Sequence, residues 1–313
     1  MTATDNSTPA TPAVQAEMLA TRTRTAYLHF LFRDPVALVA CLWLLLLLFF
    51  SLFGPLLFAD EALRLNLKAR SLPAGTLENG WVNFLGADAL GRSILARCIV
   101  ATRVTLGIAM TSAVCALVIG TTIGLYAGFV GGWTSRVIMQ LSDVIQSFPS
   151  ILLALVVLYM LSPSPANLIL VLTFGQLPVY IRVARAEVLE LRERLFVDAA
   201  RVIGARPRQI IRMHIAPMVI PTVINIMTID FALIMLSESS LSFLGIGVQA
   251  PSITWGLMVS QGKDYLETAW WMSFFPGLMI MLTTLSINIM ANWLRRIRDP
   301  RERWRFERAK RND

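Results

Sequence analysis

Three acidic residues stand within or beside long apolar runs: Asp143 in LSDVIQSFPS, Asp230 in TIDFAL and Glu238 in SESSLSFLG. An ionisable group in such a run is costly and marks a place where something polar must be met. None of the three has an opposite charge three or four residues away, and no paired carboxylates, Asp-Lys or Glu-His chain is visible. A proton or ion relay would need such partners. The three acids are therefore candidates for lining a wet substrate pathway or for hydrogen bonding between helices. His29 and His214 are the only histidines and lie at the edges of apolar runs, a pattern that builds no metal site. Cys41, Cys98 and Cys115 form no CxxC spacing and read as unpaired thiols.

Catalytic signatures are absent. A phosphate-binding loop needs two glycines separated by four residues and then Lys followed by Ser or Thr. In GLMVSQGKD, Gly256 and Gly262 are separated by five residues and Asp264 follows Lys263, so spacing and magnesium ligand both fail. Neither a nucleophile elbow nor a zinc-binding helix is present. The chain reads as non-catalytic, with no cofactor of its own, and any uphill movement of solute would draw its energy from a different chain.

The elements that must position these residues are membrane spans. Of 313 residues 56% are hydrophobic and only 15% charged, against about a quarter charged in soluble domains, and the mean hydropathy is +0.62. Several windows of roughly twenty residues are long enough to cross a hydrocarbon core of about 30 Å. Spans are expected at about 36–58, 103–129, 136–161, 166–183, 217–238 and 271–293, which makes an all-α polytopic membrane protein with six transmembrane helices. The fourth window is interrupted by Gln176 and Pro178.

Orientation follows from the 28 Lys and Arg residues. Three in the N-terminal part, Arg136, eight between Arg182 and Arg212, and nine between Arg295 and Arg311 fall on one side, against seven on the other. The positive-inside bias makes that side, with both termini, cytoplasmic. Segments 59–102 and 239–270 then face outward, with re-entrant parts allowed. Residues 1–30 form a polar N-terminal tail without the apolar core of a signal peptide. Residues 31–95 hold the first span and an outward segment, 96–297 the main membrane body, and 298–313 a basic tail suited to anionic headgroups. The net charge of +8 sits at membrane flanks rather than on a compact basic domain, which argues against nucleic acid and for a lipid bilayer.

Gly120, Gly124, Gly128 and Gly132 recur every fourth residue, a stripe that lets a helix approach closely. It fits packing within the chain or against a second membrane subunit.

Between the fourth and fifth spans lies FVDAARVIGARPRQIIRMHIAP. Phe196, Ala200 and Ile203 share one helical face with Val197 alongside, while Asp198, Arg201 and Ala205 turn away. Asp198 suits the helix dipole in the first turn and Gly204 suits the stop. Arg206-Pro207 forces a bend, a second short helix begins at Pro207, and Pro217 opens the next span. The expected product is two short angled helices at the cytoplasmic surface.

This segment resembles the cytoplasmic motif of ABC-transporter permeases, EAA, three residues, G, nine residues, I, one residue, LP. Here it reads Asp198-Ala199-Ala200, three residues, Gly204, nine residues, His214-Ile215-Ala216-Pro217, with Asp, His and Ala at three consensus positions. Three further stretches resemble the oligopeptide/dipeptide/nickel-type branch: FLGADALGRSILARCIVATRVTL, with Ser93 where the family commonly has Asp, ESSLSFLGIGVQAP, and WGLMVSQGKDYLETAWWMSFFPGL.

The resemblance implies a type I ABC importer permease fold with a coupling helix within 196–213, and Val197, Asp198, Ala199, Ala200, Gly204 and Ala205 as the ATPase-coupling residues. It also implies a second six-helix permease as heterodimer partner, two ATPase subunits that bind ATP and magnesium, and a periplasmic or lipoprotein solute-binding protein. The implied cargo is di- or oligopeptides, with nickel complexes, glutathione, opines and oligosaccharides as alternatives, and the place is a bacterial cytoplasmic (inner) membrane. A secondary transporter, the different-class reading, would show related halves with paired broken helices, and a single docking-type loop is seen instead.

Overall fold

In the computed structural model of the protein, residues 30–76 and 80–298 are described. The expectations for the N-terminal tail, for His29 and for the basic C-terminal tail lie outside them. Apart from one bridge between Ala87 and Ser93, the regular structure of the described residues is helical. The long helices are α1 (Pro35–Leu63), α2 (Ile94–Val130), α5 (Pro165–Leu191), α7 (Pro207–Phe243) and α9 (Trp271–Arg298). Between them lie α3 (Gly132–Ser147), α4 (Ser150–Met160), α6 (Leu195–Val202) and α8 (Trp255–Gly262).

Three of the long helices start on a side-chain cap. Asp34 accepts from the amides of Val36 and Ala37 ahead of Pro35, Ser164 accepts from Asn167 N ahead of Pro165, and Ser93 accepts from Ala96 N. These caps satisfy first-turn amides that have no helical partner. Ser93 Oγ also donates to Val82 O at 2.6 Å, so a hydroxyl serves where the related motif carries a carboxylate.

Five helices are long and apolar enough to span a bilayer, and α3 with α4 makes a sixth crossing if taken as one. That crossing departs from the single span expected at 136–161, because α3 and α4 are bent by 88°. The cause is Pro149: the residue before a proline avoids helical angles, and Phe148 is extended at φ −93°, ψ 138°. The fourth span, by contrast, runs unbroken through Gln176 and Pro178.

α2 is the central pillar, packed along α5 and against α1 and α7. At 37 residues it is about 55 Å long, more than a hydrocarbon core of about 30 Å requires. It begins at Ile94 rather than near 103, and its added turns are buried at Ile94, Ala96, Cys98 and Ala101. In the orientation expected from the basic residues, an outer cluster joins this end to Leu241, Val248, Trp255 and Trp271, and an inner one joins Tyr180, Ala184 and Val188 of α5 to α6 and the start of α7. Trp255 Nε1 donates to Cys98 O at 2.9 Å and Trp271 Nε1 to Ala87 O at 3.2 Å. The segments around 84–106 and 239–270 thus form one folded cap.

The glycine stripe packs within the chain. A Cβ on Gly120 would stand 2.6 Å from Tyr180 Cβ, one on Gly124 2.6 Å from Ile181 O, and one on Gly128 2.7 Å from Val188 Cβ. α5 is therefore seated directly on the α2 backbone, whereas a Cβ on Gly132 would meet no described residue within 4 Å.

Candidate coupling and translocation sites

α6 has only eight residues, too short to be stable in water by itself. Val197 and Ala200 hold it by inserting into the inner cluster with Ile210, Ile215, Val188 and Ala184. Burying such a valine contributes about 1.5–3 kcal/mol. Phe196 and Ala205 pack partly against the same cluster, and Arg201 lies 5.9 Å over the Phe129 ring of α2. The helix is thereby tied to the inner ends of α2, α5 and α7.

Its stop is a left-handed glycine. Gly204 has φ +81°, its amide donates to Arg201 O, and Ala205 N reaches back to Ala200 O, which is the bonding of a glycine C-cap. That stop corrects the expected face. Ile203 caps the helix at ψ 8°, outside the helical period, and is 83% exposed instead of sharing the buried stripe with Ala200. Leu195 and Val202 are equally open. Ala205, expected to turn away, packs inward.

The second short helix is not separate either. It is the root of α7, continuous from Pro207 to Phe243 through a π-turn at Ile211–Ile215. A proline inside a helix clashes with the carbonyl four residues back. The wider turn, in which Ala216 N reaches Ile211 O, admits Pro217 without a break.

The six expected coupling residues therefore divide. Val197 and Ala200 face the core, Ala205 is half-buried, and Asp198, Ala199 and Gly204 are exposed. Asp198 is paired with Arg201 at 3.1 Å in its own helix. The apolar outward face made by Leu195, Val202 and Ile203 escaped sequence reasoning, although three aliphatic residues in a polar, arginine-rich loop were a signal for it.

The three acids are not brought together. Asp143 is exposed on α3 and paired with Arg182 of α5 at 2.8 Å. Asp230 is buried in α7, where its carboxyl faces the Tyr180 hydroxyl of α5. Glu238 is fully buried and accepts from Ser242 Oγ at 2.8 Å and Ser239 Oγ at 3.2 Å. Ser242 Oγ in turn accepts from Val248 N.

A fourth polar site was not expected. Arg97, 3% exposed, donates to Asp88 Oδ2 through Nη1 and to Gln261 Oε1 through Nη2 at 2.8 Å, and Arg92 Nε also donates to Asp88, at 2.7 Å. This cluster edges a cavity of about 350 Å³ between the first outward segment and α8. The glycines of GLMVSQGKD lie within helix α8.

The arrangement is a membrane body with one short helix presented beyond the spans, and comparison with known proteins says what such a body is. Residues 120–304 match the family described as binding-protein-dependent transport system inner membrane component. The di/tripeptide transport system permease protein DppC of Pseudomonas aeruginosa is 36% identical over 266 residues, 85% of this chain and 88% of that protein. This chain belongs to that permease family.

Two other relatives of the permease carry different names. The glutathione transport system permease protein GsiD of Pectobacterium atrosepticum is 32% identical over 93% of this chain and 95% of its own length. The nickel transport system permease protein NikC of Escherichia coli is 34% identical over 74% and 84%. A chain of the inward-facing MetNI methionine ABC transporter superposes with a TM-score of 0.52 at 18% identity, covering 64% of this chain and 95% of that one. The fold is that of the type I ABC importer permeases. The permease is a multi-pass inner-membrane, non-catalytic component of a binding-protein-dependent ABC importer, a class that works with ATPase and solute-binding partners.

Proposed function

We propose that this permease imports di- or oligopeptides, pairing with a second six-helix permease to enclose the pathway. Two ATPase subunits, binding ATP and magnesium, receive α6, and a periplasmic or lipoprotein binding protein delivers peptide to the outer cap. The observation that supports the cargo is the 36% identity to a di/tripeptide permease across most of both chains. Nickel complexes, glutathione, opines and oligosaccharides are the alternatives within the class, the first two favoured by the relatives named for them.

Both termini are cytoplasmic in this reading, from the distribution of basic residues, and the division at 30, 95 and 297 stands with it. Coupling residues act in two ways. Val197, Ala200 and Ala205 seat the helix, so that a displacement of α6 moves the ends of α2, α5 and α7. Asp198, Ala199 and Gly204, with Leu195, Val202 and Ile203, meet the ATPase. Among the acidic pathway candidates the open face of α3 favours Asp143, while Asp230 and Glu238 line the pathway only if helices part around them.

The test is purification of the tagged permease with its co-expressed partners. Recovery of a second permease and two ATPases, with ATP hydrolysis stimulated by a dipeptide-loaded binding protein, is expected. Solute uptake by this chain alone, driven by an ion gradient, would overturn the reading in favour of a secondary transporter.

A further inference from the structure

The bend between α3 and α4 lies at mid-height of a neighbouring span. It shares a cavity with Gly175 and Gln176, and Gln176 is the twelfth of the 27 residues of α5. Non-helical backbone at such depth persists only where it is covered by protein or lines a water-filled cavity. Here a cavity of about 400 Å³ opens at the break, with Gln146, Phe148, Pro149 and Ser150 on one wall and Gln176 and Ser237 on the others. Gln146, Phe148 and Ser150 are exposed, so it opens to the outside of the subunit.

Its polar side chains are the carboxamides of Gln146 and Gln176 and the hydroxyls of Ser150 and Ser237. The carboxamides of Gln146 and Gln176 make no hydrogen bond to any described residue, while the Ser237 hydroxyl is spent on Leu233 O of its own helix. No charged side chain lines the space. Two free carboxamides against an acyl chain would each forgo their hydrogen bonds at a cost of about 1–3 kcal/mol, so lipid is the wrong occupant. Each carboxamide offers one carbonyl acceptor and an NH₂ donor, the complement of a peptide bond. The missing charges mean that the termini and ionic side chains of a passing solute find no partner here.

We infer that the cavity at the α3–α4 break is a solute-contacting site that reads the amide group of a peptide, with Gln146 and Gln176 as the contacting side chains. This rests on the peptide reading above. Such a site holds solute weakly, as a conducting pathway requires, and tolerates many side chains because it addresses the backbone.

The experiment uses the complete importer, both permeases, the ATPases and the binding protein, in proteoliposomes. ATP-driven uptake of alanyl-alanine is compared with that of its ester analogue alanyl-lactate, which lacks the amide N–H, for the wild type, Gln146→Leu and Gln176→Leu. Each result is expressed as the variant's amide-to-ester ratio relative to wild type, which removes the binding protein's own preference. Alanyl-alanine has one peptide N–H for one carboxamide oxygen to accept, and loss of one hydrogen bond corresponds to about a fivefold change, so one of the two variants is expected to lower the ratio about fivefold. In a cysteine-free background, Gln146→Cys is expected to react with a charged water-soluble thiol reagent in the assembled complex and to be protected by alanyl-alanine. Uptake of alanyl-alanine with unchanged ratios in both variants overturns the site. So does a Gln146→Cys thiol that reacts in the isolated subunit but not in the complex, which marks the cavity as a partner interface. A wild type that takes up no alanyl-alanine overturns the peptide reading itself, and the site with it.

Discussion

At the scale of the residue, the least negotiable group is Arg97. Its charge is buried at the top of α2, and Asp88 and Gln261 are what make that burial tolerable. Removing one partner of a buried pair costs about 3–5 kcal/mol, while replacing both by apolar groups is far milder. Asp88→Ala, which leaves Arg97 buried with Gln261 alone, is expected to cost about that much in chemical unfolding of the detergent-purified permease, with Asp88→Leu/Arg97→Leu less damaging than Asp88→Ala alone. The opposite ranking would show that the pair does not hold the cap. Both residues sit in a motif visible in the sequence, but their pairing does not. They are nine positions apart across a turn, and Gln261 is 164 positions further on, so no helical period relates them. Gly124 was legible as part of a stripe but not by partner. With α5 backbone 2.6 Å from its absent Cβ, Gly124→Leu is expected to cost at least about 1–3 kcal/mol by overpacking, read as loss of folded protein from detergent extracts.

At the scale of the element, α6 was legible at its ends and not in its rotation. Asp198 near the start, Gly204 at the stop and Pro207 after it are local signals, and each holds. Which face is buried depends on Phe129, Val188 and Ile215 from distant segments, and a four-residue repeat cannot reveal that. The distinction separates two variants that would otherwise look alike. Ala200→Trp places bulk in the intramolecular seat and is expected to reduce the amount of folded permease. Ile203→Asp changes a side chain that touches solvent, so stability should shift by no more than about 0.5 kcal/mol. Gly204→Ala forces φ +81° on a residue with a Cβ, at about 1–2 kcal/mol, although no neighbour obstructs the methyl. Thermal unfolding of the three side by side gives the ordering Ala200→Trp worst and Ile203→Asp near wild type. The broken crossing teaches the same lesson: Phe148-Pro149 was present in an apolar window that hydropathy alone reads as continuous.

At the scale of the whole molecule, hydropathy was enough for five spans, their order and the apolar window of the broken crossing, because it is imposed by the bilayer on each segment separately. The outer cap was not legible, because it is made by tryptophan-to-carbonyl bonds between segments more than 150 positions apart. The molecule that results is a bundle braced at both ends, with α6 as the part of the described structure that is rigidly attached and yet presents aliphatic side chains to water. In the proposed function this short helix carries force from ATPase to pathway. That role is tested most directly by ATP-driven uptake of alanyl-alanine through the complete importer bearing Ile203→Asp together with Leu195→Asp. The account predicts an assembled, membrane-inserted permease whose uptake falls at least about tenfold, the equivalent of about 1.4 kcal/mol of lost coupling. Uptake at the wild-type rate through that altered helix would contradict it.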